Sequence, residues 1–146
     1  MTLNPKAVLI TGAAHRIGAS LAHHLGAQGW AVALHYRSSA AGAEATAATI
    51  QAAGGNTALV QADLASEQDV QGLMAQATNG LGMPLTALIN NASAFQYDSA
   101  ESATRDSWDA HMEPNLRAPL VLSQALAAQA PSSGGVLITP RPSDLY

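Results

Sequence analysis

A chain of 146 residues is long enough for one compact domain with a buried core. Hydrophobic residues, largely alanine, make up 48% and charged residues 11%, which argues against a disordered or fibrous chain, and a net charge of −4 without a basic run argues against a nucleic-acid partner. With no cysteine, the chain can form neither a disulfide framework nor a thiolate metal site, which fits a reducing compartment.

Short apolar runs alternate with longer amphipathic ones. Ala7–Ile10 reads as a buried strand, followed through Gly12 by a helix with Ile17, Leu21 and Leu25 on one face. Gly29 stops that helix, and Ala31–His35 is the second strand. Ala40–Ala53 is an alanine-rich helix closed by Gly54 and Gly55, and Thr57–Gln61 is the third strand. Ser66 to Asp69 resembles a capping box that opens a helix carrying Val70, Leu73 and Met74 inward. Leu85–Ile89 makes a fourth strand. A long helix from about Thr104 is expected to turn Trp108, Met112, Leu116, Leu120 and Leu126 toward the core, and Gly134 and Gly135 introduce a fifth strand, Val136–Thr139. Pro114 removes a hydrogen bond inside the long helix and should kink it. Alternation of strand and helix implies right-handed βαβ units. The expected fold is α/β, a doubly wound parallel sheet in the order 3-2-1-4-5 with helices on both faces.

The turn Thr11-Gly-Ala-Ala-His-Arg-Ile-Gly18 joins the first strand to the first helix. Gly12 permits a tight turn and close backbone approach to a pyrophosphate, Gly18 permits close helix packing, and the helix N-terminus offers unpaired N–H groups. Two glycines alone equally suit an ordinary strand-to-helix turn. Taken with Asn90-Asn-Ala92 after the fourth strand, however, the TGxxxxxG turn resembles the short-chain dehydrogenase/reductase family over roughly residues 5–138. Arg16 stands where that family's third glycine usually lies. The TGAAxRxG variant, the strand end His35-Tyr-Arg-Ser38 and the segment Asn90–Phe95 are most similar to the pteridine reductases.

The resemblance implies a Rossmann-type domain over residues 1–139, truncated after about the fifth strand, with an irregular tail at 140–146. It implies cofactor contacts from Gly12, Ala14, His15, Arg16 and Ile17 in the turn. Folds that prefer NAD usually place an acid at the end of the second strand, but His35-Tyr36-Arg37-Ser38 contains none. Arg37 can pair with a 2′-phosphate and Ser38 can donate to it, so NADP(H) is the expected cofactor, with His35 and Tyr36 of the same strand end also among the implied cofactor contacts. Asp63 and Leu64 fall where the family meets the adenine, and Asn91, Ala92 and Ser93 where it meets the nicotinamide ribose. Phe95, the only phenylalanine, occupies the slot in which pteridine reductases stack an aromatic ring on the pterin, with Arg16 near both cofactor and substrate. Each also has a plainer reading as turn former, core residue or surface arginine. His23, His24 and His111 show no partner and no metal-ligand spacing, so no metal is expected.

Asn115 matches the family's catalytic asparagine. The family's proton donor is a tyrosine assisted by a lysine four residues on, and Lys6 is the only lysine in the chain. After the fifth strand the match ends in Thr139-Pro-Arg-Pro-Ser-Asp-Leu-Tyr146, where neither Ser143, Asp144 nor Tyr146 takes a catalytic role. A truncation, a shifted reading frame or an incomplete sequence accounts for that change of character; a natural short form is the alternative. Three functions stand side by side: a pteridine or dihydrofolate reductase, a general carbonyl or 3-oxoacyl-type reductase, and a non-catalytic NADP-binding module. The expected partners are a small pterin or carbonyl substrate and, from the family, a second copy of the chain. The N-terminal stretch lacks a signal-peptide core and no apolar run nears the ~20 residues of a membrane span, so the expected location is the cytoplasm.

Overall fold

The computed structural model describes residues 5–131 and 134–139. Five strands, β1 (Ala7–Ile10), β2 (Ala31–Tyr36), β3 (Thr57–Gln61), β4 (Ala87–Ile89) and β5 (Val136–Ile138), form one parallel sheet in the order β3-β2-β1-β4-β5. The order and direction agree with those expected. Between the strands run α1 (Arg16–Ala27), α2 (Ala40–Ala52), α3 (Glu67–Leu81), and then α4 (Arg105–Met112) and α5 (Ala118–Gln129), which are joined by a π-helical segment at Glu113–Arg117. The expected tail at 140–146 lies outside the described residues.

Alternation within the strands assigns each side chain to one of two cores. Leu9 and Leu88 face one side of the sheet, where α3 and α5 add Leu73, Leu81, Leu122 and Leu126. Val8, Ile10, Val32, Leu34 and Ile89 face the other, covered by α1 and α2 through Ala22, Ala47 and Ile50. Both faces of the central strands are therefore dry, and for that reason they read as continuous apolar runs. The sequence order reverses between β1 and β4. The crevice outside their C-terminal ends is the place where such a sheet can admit a ligand.

Several expectations need correction. Ile17 is 57% exposed, because α1 buries the ridge of Gly18 and Ala22, with Leu21 and Leu25 half-buried beside it. The β4 ladder covers Ala87–Ile89 only, although the Thr86 N–H still bonds to the Ala7 carbonyl at 2.9 Å. At the start of α3 only half of a capping box forms: Ser66 Oγ accepts the Asp69 N–H at 3.3 Å, while Asp69 Oδ2 accepts the Asp63 N–H at 2.9 Å instead of reaching back. A complete box opens α4 through Thr104 and Ser107.

The long helix departs most. Trp108, Leu116 and Leu120 are 55%, 64% and 49% exposed, and Met112 is half-buried; of the five residues expected inside, only Leu126 is buried. Pro114 has no N–H to give to the preceding turn, and the chain answers with the π-helical segment. The wider turn re-aims the next helix, so that α5 presents Ala118, Leu122 and Leu126 to α3 and the sheet. Arg117, at the end of this segment, donates to Glu67 of α3 at 2.6 Å. That bond holds the Glu67 carboxyl below its usual range. The apolar edge strand β5 is about half exposed at each residue among the described residues.

Candidate functional site

The β1–α1 turn is held from both sides. Gly12 has φ +66°, and a Cβ there would stand 3.0 Å from the Ala92 Cα, so the turn packs directly on the segment after β4. A Cβ on Gly18 would overlap the carbonyl oxygen of Gly12. From the β4 side, Asn91 Nδ2 donates to the carbonyls of Thr11 (3.0 Å) and Gly12 (3.1 Å). Thr11 Oγ1 accepts the Ala92 N–H at 3.0 Å. From the β2 side, His35 Nδ1 accepts the Gly12 N–H at 3.1 Å and the His35 carbonyl accepts the Ala13 N–H at 2.8 Å.

Beyond these bonds the turn is open. The N–H groups of Ala14 to Gly18 have no acceptor among the described residues, the signature of a helix N-terminus that can receive an anion. His15 and Arg16 are exposed beside them, while Ala14 is buried. The His15 ring lies against Gly42 of α2, where a side chain would collide with it. Arg16 has φ +51° and is the one non-glycine with positive φ among the described residues. Its backbone takes a conformation natural to glycine, at a cost of order 1 kcal/mol.

At the end of β2, Arg37 and Ser38 are exposed and Tyr36 is half-buried. Gln61 Nε2 donates to the Arg37 carbonyl at 2.9 Å, and the guanidinium makes no ion pair among the described residues. His35, by contrast, is 2% exposed, with both ring nitrogens engaged inside the protein. Burial pushes its pKa down, partly opposed by the Ala62 carbonyl and by Asp63. After β3, Asp63 is exposed and shapes its own turn, with Oδ1 accepting the Ala65 N–H at 3.0 Å. Leu64 is buried in the core.

The segment after β4 continues the site. Asn91 and Ala92 are half-buried and Ser93 is exposed. Phe95 is 77% exposed and is fixed by a clamp on each side of it. Asn115, in the π-helical segment, donates to the Ala94 carbonyl at 2.7 Å and accepts its N–H at 2.8 Å. His111 Nε2 accepts the Gln96 N–H at 2.9 Å, so Nδ1 carries the proton and donates to the Ser107 carbonyl at 2.8 Å. The His111 ring meets Phe95 edge-on, at 5.9 Å between centroids. Phe95, Trp108, His111, Met112, Asn115 and Leu116 line an open, mostly apolar depression.

The turn, the end of β2, the loop after β3 and the segment after β4 thus gather at the C-terminal edge of the sheet, and Phe95 lies next to Asn115. Leu64 lies beneath this gathering, in the core, and the Ile17 side chain is exposed in the first turn of α1. His111 shows no partner in the sequence pattern, and the structure seats it with Asn115 on the same depression, where the two hold Gln96 and Ala94. His23 and His24 are exposed. Among the described residues no three His, Cys, Asp or Glu side chains group to hold a metal, and no helix is long and apolar enough to cross a membrane.

The short chain dehydrogenase family model matches residues 6–139. An uncharacterised oxidoreductase of Methylorubrum extorquens is 33% identical over 135 residues, covering 92% of this chain and 54% of that protein. Pteridine reductase 1 of Leishmania tarentolae is 51% identical over 69 residues, which is 45% of this chain and 24% of that one. Among solved structures, FolM alternative dihydrofolate reductase 1 from Brucella canis, complexed with NADP, superposes with a TM-score of 0.87 at 36% identity, covering 93% of this chain and 54% of that chain. The chain spans about half the length of the curated relatives that it matches along most of its own length.

Proposed function

Because this chain belongs to the short-chain dehydrogenase family, we propose that it forms the nucleotide-holding part of an NADP(H)-dependent oxidoreductase whose substrate is a pterin or folate-like ring. The observation that carries this reading is Arg37, an exposed cation without an ion-pair partner among the described residues, at the strand end where an acid would favour NAD. Gly12 and Gly18 let the turn pack tightly on Ala92 and on its own backbone, and five adjacent amides are left without an acceptor among the described residues, as a phosphate site requires.

When bound, the nicotinamide would supply the hydride. The chain's own residues do the holding. The amides of Ala14 to Gly18 bind the pyrophosphate, with His15 and Arg16 at its flank, and Arg37 and Ser38 bind the 2′-phosphate. Asp63 lies on the adenine side. Ala92 and Ser93 line the ribose side, while Asn91 spends its amide bracing the turn. Phe95 offers an exposed ring face to a flat heterocycle, held by Asn115 and His111. The similarity to a pteridine reductase and to an alternative dihydrofolate reductase supports that substrate class, while similarity to a 3-oxoacyl reductase and to a C-6 ketoreductase supports a carbonyl substrate as the alternative.

With Lys6 as the only lysine, the family's tyrosine–lysine proton donor is not among the residues that this chain contributes. The alternative reading is an NADP-binding module without turnover. Fluorescence titration of the chain with NADPH and NADH tests the cofactor assignment. NADPH should bind more tightly, and Arg37→Ala should weaken NADPH by about 10–100-fold, the worth of a charge-assisted phosphate pair, while leaving NADH unchanged. Equal affinities indifferent to Arg37→Ala would refute it. Turnover of dihydrobiopterin or dihydrofolate by the chain alone would exclude the module reading.

A further inference from the structure

The β1–α1 turn receives two successive bonds from a single residue, His35 of β2. Its carbonyl takes the Ala13 N–H at 2.8 Å and its Nδ1 takes the Gly12 N–H at 3.1 Å. A backbone amide can only donate, so Nδ1 must present its lone pair. The ring proton therefore resides on Nε2, which donates to the Ala62 carbonyl at 3.0 Å. The two ring bonds cross 23 residues of sequence in one direction and 27 in the other, and the ring that makes them is 2% exposed. An imidazole is a costly group to bury, and one whose two nitrogens both meet main-chain partners is built into its place.

Opposite His35, Asn91 grips the same turn by its carbonyls, those of Thr11 and Gly12. Gly12 is thus held by its N–H from β2 and by its oxygen from the β4 side. This fixes its peptide planes and the positive φ of +66°. The same arrangement removes Gly12 and Ala13 from the supply of anion-binding amides, since both N–H groups are already spent.

We propose that His35 is a positioning residue for the nucleotide site, whose neutral Nε2–H form draws the Gly12 and Ala13 amides inward, leaves those of Ala14 to Gly18 to the phosphates, and ties the turn to the β3 end where the adenine side begins. The proposal rests on the NADP(H) reading for its ligand, but the geometry of the ring is independent of it. His35 itself touches no phosphate. Its effect passes through the turn, so loss of the Nδ1 acceptor should reach cofactor affinity more than loss of the Nε2 donor.

Two substitutions separate the nitrogens. His35→Asn places an amide oxygen near the Nδ1 position, keeping an acceptor for Gly12 and giving up Ala62. His35→Gln reaches toward Ala62 and gives up Gly12. NADPH titration of the whole chain should find His35→Asn within about threefold of wild type and His35→Gln weaker by about tenfold, as expected when a buried amide loses its acceptor. Indistinguishable affinities for the two variants would overturn the proposal. Nitrogen-15 spectra of the wild-type ring without cofactor give a second readout. Nδ1 should be unprotonated and coupled through the hydrogen bond to the Gly12 amide, and a protonated Nδ1 or an absent coupling also overturns it. If wild type fails to bind NADPH, the cofactor reading falls, and the ring spectrum still decides whether His35 braces the turn. The same spectrum decides if either variant fails to fold.

Discussion

Replacing Gly18 by alanine should be among the costliest single-methyl additions that this chain can receive. The new Cβ overlaps the carbonyl oxygen of Gly12 and lies 2.7 Å from Asn91 Nδ2. Neither neighbour is a flexible side-chain end: one is backbone, and the other is fixed by bonds of 3.0 and 3.1 Å to the turn. Overpacking costs about 1–3 kcal/mol, and displacing Asn91 gives up two hydrogen bonds of about 1 kcal/mol each. Against this, alanine gains about 1 kcal/mol over glycine in a helix, which leaves a net loss of about 2–4 kcal/mol. For a chain of this size the thermal midpoint should fall by roughly 6–12 °C. The control is Gly72→Ala within α3, where the nearest heavy atom to a Cβ is Gln76 Nε2 at 3.5 Å, and where a gain of about 0.5–1 kcal/mol is expected. Thermal melts followed by circular dichroism compare both with wild type. A Gly18→Ala midpoint within about 1 °C of wild type would mean that the turn is not packed as described.

Arg16→Gly should relieve the strain at φ +51° by about 1–2 kcal/mol and return about 0.5–1 to chain entropy, for a small net gain in the midpoint; a loss of stability would show that the arginine is not strained. Since burial lowers the pKa of His35, the unfolded chain takes up a proton near 6.5 that the folded chain refuses, so the contribution is intact above that pH and lost as pH falls below it. Urea melts between pH 7.5 and 5 should show this decline, with a flatter profile in His35→Asn; identical profiles would contradict the assignment. Ser66→Ala removes the acceptor for the Asp69 N–H at the start of α3, and should cost about 1 kcal/mol in the same melts.

How legible the chain was depended on whether a signal was local. The bounds of β3, Thr57–Gln61, the start of α2 and, to within one residue, its end are legible because glycines punctuate runs of one period. The strand order is the simplest doubly wound arrangement that right-handed crossovers allow. The expected face of the long helix fails for two reasons: α4 buries none of its residues, and the four-residue step carried past Pro114 to Leu120 ignores the change of helical pitch there. In the site, the glycine turn and the Asn90–Ala92 segment announce themselves by spacing, and the structure brings them into contact. His35 did not, for its position at a strand end suggested a ligand contact, whereas its ring partners, Gly12 and Ala62, belong to other strands' connections. No local pattern encodes a side chain whose acceptor and donor roles are set by distant main chain.

The capped but unburied helix α4 has a consequence for how the molecule opens. None of its residues is buried, so little apolar surface must be exposed to undo it, while β1 and β4 lie between two cores. Its free energy of opening therefore sits well below that of the sheet, and its amides exchange with solvent through excursions that leave β1 intact. Those excursions release His111 and with it the Gln96 side of the Phe95 clamp, while Asn91 and His35 keep their hold on the glycine turn. The two ends of the crevice consequently keep different time: a fast, yielding wall around Phe95 beside a slow, fixed one around Gly12.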